Sequence, residues 1–379
     1  MDSSTQWKSS LSAIDRYEVI QRIQSSLPSQ DMKEAVTIEQ IAYQNSTTRE
    51  EYDAACQAIS ANTSQPRPSS TPDALTTSQD PGIRIGSYPN CTPISEGITS
   101  EVYRSTDKAL KVIVAHHNLE PHNPQREVKI LRTLNPPCIP LLNVFRDQEQ
   151  RLVLVFPYMP LTLANLLDNG DILSKNQLRT IFSDALKALQ HIHSQGITHR
   201  DIKPSAILLS GPSGPAFLSD FGTAWHPEFS AYSEPPSDKV LDIGTGPYRA
   251  PEVLFGNKSY GPPVDMWAFG TMVAEAIRSP PSPLFESRPV HEDGNQLGLI
   301  LSIFKTLGTP TPETWPEAKE FRVAPFELWT VFPSRLWDEI LPGVDPTYRE
   351  MVAALVRYDG KRASAEQALT YACFINDGE

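Results

Sequence analysis

No stretch of the 379 residues offers an apolar run of about 18, the length a membrane-crossing helix needs, so spanning a bilayer is not expected. The first residues lack an apolar core behind a basic start, and a secretory leader is not expected either. Cysteine is sparse. Cys56, Cys91, Cys138 and Cys373 stand far apart, without the paired spacing of a zinc site or a disulfide framework. Reduced thiols in a nuclear or cytoplasmic compartment fit that pattern. Positive charge is in deficit, with 33 Lys and Arg against 45 Asp and Glu and a net charge of -12, which argues against direct nucleic-acid binding. The acidic balance suits a basic protein or peptide partner, although surface solvation accounts for most of it.

What is present divides the chain into three stretches. Residues 10–60 carry three short amphipathic stripes: Tyr17, Ile20, Ile23 and Leu27, then Ala35, Ile38 and Ala42, then Tyr52, Cys56 and Ile59. Thr48-Arg49-Glu50-Glu51 forms a capping box for the third helix, because hydroxyl and carboxylate can satisfy exposed backbone donors reciprocally. Residues 61–82 are mostly Ser, Thr, Pro and Gln, which cannot repay the entropy of ordering, so a disordered linker is expected there. The remainder, 83–374, is long enough for a two-lobed core of about 290 residues.

Within that body, alternating apolar residues from Ile85 to Phe156 indicate a small antiparallel sheet interrupted by one helix. The clearest helix runs from Ser174 to Gly196. Ser174 and Gln177 cap its start, Leu178, Ile181, Phe182, Ala185, Leu189 and Ile192 line one face, and glycine ends it. His191 and His193 at its end read as solvated side chains.

Three short signals then follow in order: His199-Arg200-Asp201-Ile202-Lys203-Pro204-Ser205-Ala206, Asp220-Phe221-Gly222, and Ala250-Pro251-Glu252. Their types and spacing resemble the catalytic loop, metal-binding turn and activation-segment end of the eukaryotic protein kinases. That resemblance implies an α+β, bilobal protein kinase-like fold, with a β-rich N-lobe over 83–158 and a helical C-lobe over 160–374. It implies ATP and Mg2+ as cofactors and protein Ser or Thr as phosphoryl acceptor. Lys111, in Ala109-Leu110-Lys111-Val112, matches the lysine that holds the inner phosphates, and Glu127 the helix carboxylate that orients it. Asp201 matches the group that orients the acceptor hydroxyl, Lys203 the cation at the transferring phosphate, Asp220 the magnesium ligand and Thr245 a partner of the catalytic loop. Ile94, Gly97, Val102, Ala109, Phe156, Pro157 and Met159 fall where the nucleotide is held.

Two places depart from the family pattern. Ala206 replaces the Asn that ligates a second metal, and only Gly97 remains of the glycines in the phosphate-covering hairpin, Ser95 and Ser100 standing at the outer places. Two readings follow: an active serine/threonine kinase with reduced turnover, or a pseudokinase scaffold that binds nucleotide and partners. Ile303-Phe304-Lys305-Thr306-Leu307-Gly308-Thr309-Pro310 with Trp315-Pro316-Glu317 resembles the cyclin-dependent kinase branch, and the stretch from Tyr248 to Gly261 its fungal CDK-activating members. Kinase or transcription-machinery partners are expected on that ground, in nucleus or cytoplasm. Residues 10–60, through Arg16, Glu39 and the Tyr52 region, are weakly similar to three-helix KIX-like coactivator-binding bundles. A plain helical extension explains them equally. Counting back from Glu252 puts the usual activating Thr at Val240, flanked by Asp238 and Asp242, so one of these carboxylates is expected at Arg200 in place of a phosphate.

Overall fold

The computed structural model describes residues 48–62, 82–97, 99–114, 120–287, 295–321, 323–326 and 330–375, with scattered positions between 19 and 46. It comprises two compact units, Met1–Ser78 and Gln79–Glu379. In the first, helix α1 (Arg49–Asn62) begins on the expected capping box, with Glu51 N–H donating to Thr48 Oγ1 at 3.2 Å. Buried Tyr52 packs with Val19, Ile23, Ala42 and Cys56, and its hydroxyl donates to buried Glu39 at 2.7 Å. Tyr17, Ile20, Leu27, Ala35 and Arg16 lie outside the described residues, as does linker sequence 63–81.

The second unit opens with a six-stranded antiparallel sheet in the order β1-β2-β3-β4-β6-β5: β1 Ile83–Ile85, β2 Tyr88–Glu96, β3 Ser100–Ser105, β4 Lys108–Ile113, β5 Asn143–Arg146 and β6 Leu152–Pro157. Side chains alternate across the sheet. Leu110, Val112, Val153 and Val155 bury one face with Ile85 and Cys91. The registers Val102↔Lys111, Lys111↔Leu154 and Ala109↔Phe156 put Val102, Ala109, Lys111, Leu154 and Phe156 on the opposite face. Ile94 falls where the β2–β3 register slips between Pro93 and Ser95, a bulge in the hairpin.

Helix α2 (Pro124–Leu131) crosses between β4 and β5 in sequence. Asn123 caps it by accepting from Arg126 N–H at 3.0 Å, and Val128, Ile130 and Leu131 bury its apolar stripe. Below come β7 (Leu161–Thr162), α3 (Leu163–Asp168) and α4 (Lys175–Ser194). The α4 cap, stripe and terminating Gly196 (φ +72°) are as expected from the sequence. His193 is not solvated: its Nε2 lies 2.9 Å from Asp265 of a neighbouring helix. Strands β8 (Ile207–Leu209) and β9 (Ala216–Leu218) pair beside β7; the loop that carries Asp201 runs into β8, and β9 leads into the turn that carries Asp220.

The lower lobe is built around α5 (Pro251–Leu254) and α6 (Pro263–Ala276), joined by α7 (Asn295–Leu307), α8 (Trp337–Ile340), α9 (Pro346–Leu355) and α10 (Ala365–Ala368). Every residue of α6 from Val264 to Ala276 is buried, so this helix has no solvent face and serves as the axis of the lobe. Gly270 marks its closest approach to the chain at α9, because a Cβ there would lie 2.7 Å from Leu355 Cβ and 2.8 Å from Val356 Cγ2. Gly270→Ala therefore overpacks the core and is expected to cost about 1–3 kcal/mol of stability, measurable by urea unfolding of the full chain.

Candidate active site

The site begins at a buried carboxylate. Asp265 of α6 is 1% exposed and accepts backbone N–H groups of His199 and Arg200, both at 2.8 Å. Two charge-assisted bonds of this kind hold the loop in a shape that it would otherwise avoid, with Arg200 at φ +73°. His199 Nε2 lies 2.8 Å from Ser219 O, its ring meets Phe221 at 4.9 Å, and its carbonyl accepts from Thr223 Oγ1 at 3.1 Å. The loop is thereby locked to Asp220-Phe221-Gly222, where Asp220 also takes a left-handed backbone, φ +62°.

Two charged groups of residues face the cleft. In the first, Lys111 reaches from β4 to Glu127 of α2 at 2.8 Å and to Asp220 at 3.0 Å. Lys111 lies on the cleft face because it alternates with Leu110 and Val112, and Glu127 is in reach because Arg126-Glu127 occupies the first turn of a helix whose apolar side is buried. The Lys111 ammonium holds the Asp220 carboxyl well below the usual carboxylate range. Burial opposes the charge on Lys111, but Asp220 and Glu127 outweigh it and hold its pKa above the ordinary lysine value. Burial pulls the Glu127 carboxyl upward against the lysine beside it. Since the ammonium touches Glu127 directly, the ionised pair is the state consistent with the geometry.

In the second, Asp201 Oδ1 accepts from Thr245 Oγ1 at 2.6 Å and Oδ2 from Lys203 Nζ at 2.6 Å, while Lys203 also donates to Thr245 at 3.1 Å. Asp201 is thus fixed by Thr245 of the activation segment and by Lys203 of its own loop. Ala206, 1% exposed, has a methyl where the family has Asn; its N–H donates to Lys203 O at 3.0 Å, and its carbonyl accepts both the N–H and the hydroxyl of Ser219 at 2.9 Å. Asp220, exposed to the cleft and anionic, is a hard oxygen donor that fits magnesium, which commonly binds through one or two carboxylates plus substrate phosphates. Nothing at 206 supplies a side-chain ligand for a second ion.

Val102, Ala109 and Phe156 share the cleft face of the sheet with Lys111, and partly buried Phe156 and Met159 pack on the main core where β6 runs out through Pro157. Ile94 is 47% exposed at the hairpin, and Gly97 N–H donates to Ser100 O at 2.9 Å, closing the turn without a left-handed glycine.

The chain matches the family described as protein kinase domain over residues 88–374. The chain belongs to the protein kinase family. It is 35% identical over 282 residues to the serine/threonine-protein kinase csk1 of Schizosaccharomyces pombe, covering 71% of this chain and 88% of that one. Among solved structures it is similar to the yeast RNA Pol II CTD kinase CTDK-1 complex, with 25% identity, a TM-score of 0.63, and 81% of this chain and 98% of that chain covered. It is a serine/threonine protein kinase of the cyclin-dependent-kinase-like branch with the expected bilobal fold. The scaffold alternative has no observation in its favour.

The kinase differs from its sequence reading at Arg200. Asp238 pairs with Lys258 at 2.6 Å and Asp242 with Arg249 at 3.1 Å; neither is the acid at Arg200. That acid is Glu234, which bonds Arg200 Nη1 and receives Val240 N–H at 2.8 Å. Residues 234–240 turn back on themselves, so the segment delivers a carboxylate from six positions upstream of the counted site. Arg126 was also missed, although its place directly before Glu127 was a usable signal.

Replacing Asp201 by Asn removes the acceptor while keeping its shape. Phosphoryl transfer is expected to fall by about 10²–10⁴-fold with nucleotide affinity little changed, as measured by single-turnover assay beside nucleotide titration. Lys111→Met is expected to act differently, weakening nucleotide binding as well as transfer.

Proposed function

We propose that this kinase uses MgATP to phosphorylate Ser or Thr on other kinases of the cell-cycle or transcription machinery. The observation that carries this reading is the pairing of two pre-set charge groups across one cleft, Lys111–Glu127–Asp220 and Asp201–Lys203–Thr245. Such an arrangement suits phosphoryl transfer, where positioning and charge neutralisation do most of the work.

In this reading Lys111, steadied by Glu127, holds the inner phosphates, and Asp220 holds the magnesium. Ile94, Gly97, Val102, Ala109, Phe156, Pro157 and Met159 enclose the nucleotide. Bound MgATP supplies a γ-phosphoryl group whose oxygens are neutralised by the metal. Asp201 orients the acceptor hydroxyl and takes its proton, Thr245 keeps Asp201 turned toward that hydroxyl, and Lys203 meets the charge that develops on the transferring group. The similarity to the yeast RNA Pol II CTD kinase supports a transcription-linked substrate and a nuclear place of action. Residues 10–60, as a helical module ahead of the kinase body at 83–374, would add contacts to such partners.

The test is transfer of radiolabelled phosphate from ATP to intact kinase substrates and to Ser/Thr peptides, with the Asp201→Asn protein as the blank. Incorporation on Ser or Thr above that blank supports the proposal; nucleotide binding with no transfer at any magnesium or manganese concentration overturns it. Ala206→Asn restores an amide oxygen beside the metal. The magnesium concentration for half-maximal activity is expected to fall by several-fold, about one added metal ligand's worth, with manganese stoichiometry of the nucleotide complex as a second readout.

A further inference from the structure

The interior of the activation segment holds more positive charge than a protein core tolerates without an anion. Arg126, Arg200 and Lys239 are each 5% exposed or less. Arg200 sits one residue before Asp201, and Arg126 one residue before Glu127. Two buried guanidiniums repel one another, and the Arg200 charge contributes to lowering the Arg126 pKa after burial itself. Glu234, 2% exposed, is the carboxylate placed between them. Its Oε1 accepts from Arg200 Nη1 and from Val240 N–H at 2.8 Å, and its Oε2 lies 3.6 Å from Arg126 Nη1. Glu120, the other acid near Arg126, also stands at 3.6 Å but is 36% exposed, where water screens it.

The backbone around Glu234 is held as firmly as the side chain. Its N–H donates to Ser230 O at 2.8 Å and its carbonyl accepts from Trp225 Nε1 at 2.9 Å. Lys239 lies over the Trp225 ring at 4.6 Å and donates to Tyr260 O at 2.7 Å, while the Tyr260 hydroxyl receives Arg200 Nη1 at 3.1 Å and donates to Val240 O at 2.5 Å. One carboxylate thus ties together the activation segment, the catalytic loop and helix α2. Those are the elements that set Asp201 and Glu127.

We propose that Glu234 is a built-in positioning anion that assembles the active site, so that this kinase needs no phosphate on its activation segment. Tyr232, Ser233 and Ser237 carry exposed hydroxyls nearby, and a phosphate on any of them would have to displace Glu234 to reach Arg200. Thr245 is already engaged with Asp201.

The proposal rests on the kinase activity, so the native full chain is assayed first to establish transfer. Phosphatase treatment, with loss of phosphate verified by mass spectrometry, is expected to leave kcat unchanged. Glu234→Gln keeps the size and removes the charge; kcat is expected to fall about 10²-fold, the scale of a small misplacement of catalytic groups, with a smaller change in KM for ATP. Hydrogen exchange should rise at 124–131 and around 199–203 in that variant, and Glu234→Asp should recover part of the loss. Loss of native activity on phosphatase treatment overturns the proposal, as does a Glu234→Gln protein with native kcat. Should Glu234→Gln fail to fold, the phosphatase arm decides on the native protein alone.

Discussion

A guanidinium with no access to water needs acceptors, and much of this kinase is arranged to supply them to Arg200 at Nε and Nη1, its buried Nη2 going without one among the described residues. Its backbone N–H goes to Asp265 on the buried axis of the lower lobe, its Nε to Thr223 O at 2.5 Å, and its Nη1 to Glu234 and Tyr260. Each acceptor belongs to a different element: α6, the turn after Asp220, the activation segment and the loop before α6. Moving Thr223, Glu234 or Tyr260 takes an acceptor from the buried guanidinium, which is costly in a medium of low dielectric. The catalytic loop is therefore rigid because Arg200 is buried, and Asp201, the next residue, inherits that rigidity.

The same logic explains how the site keeps its shape where familiar parts are missing. Without an Asn at 206 the loop loses a side-chain brace for Asp201, yet Thr245 and Lys203 hold both carboxylate oxygens. Ser219 adds a hydroxyl bond to the Ala206 carbonyl, so β8 and the metal-binding turn remain tied. The glycine-poor hairpin closes through Gly97 N–H and Ser100 O, with Gly97 itself outside the left-handed region. What these bonds cannot replace is the side-chain oxygen that an Asn at 206 would offer a metal. The effect of Ala206 accordingly falls on metal affinity, and much less on architecture.

Much of the fold was legible because periodicity is a local property. Alternation placed Lys111 on the cleft face of β4, the 3.6-residue stripe placed Glu127 beside it on α2, and the capping pairs marked the starts of α1 and α4. His193 read as a solvated helix-end residue because its partner, Asp265, lies 72 positions away. Glu234 was illegible for a related reason. The spacing between the activation segment and the residues it serves is not set by any helix or strand, so counting from Glu252 reached Val240, while the turn over 234–240 brought a different side chain inward.

By itself the sequence determined the sheet region and the clearest helices of the body, through side-chain periodicity and capping chemistry. The groups that could carry phosphoryl transfer were legible through their resemblance to the protein kinase motifs. Only the tertiary structure decided which carboxylate neutralises Arg200 and that His193 meets Asp265. Those outcomes depend on burial, since a charged group removed from water takes whatever partner the packed chain brings within reach, however distant in sequence.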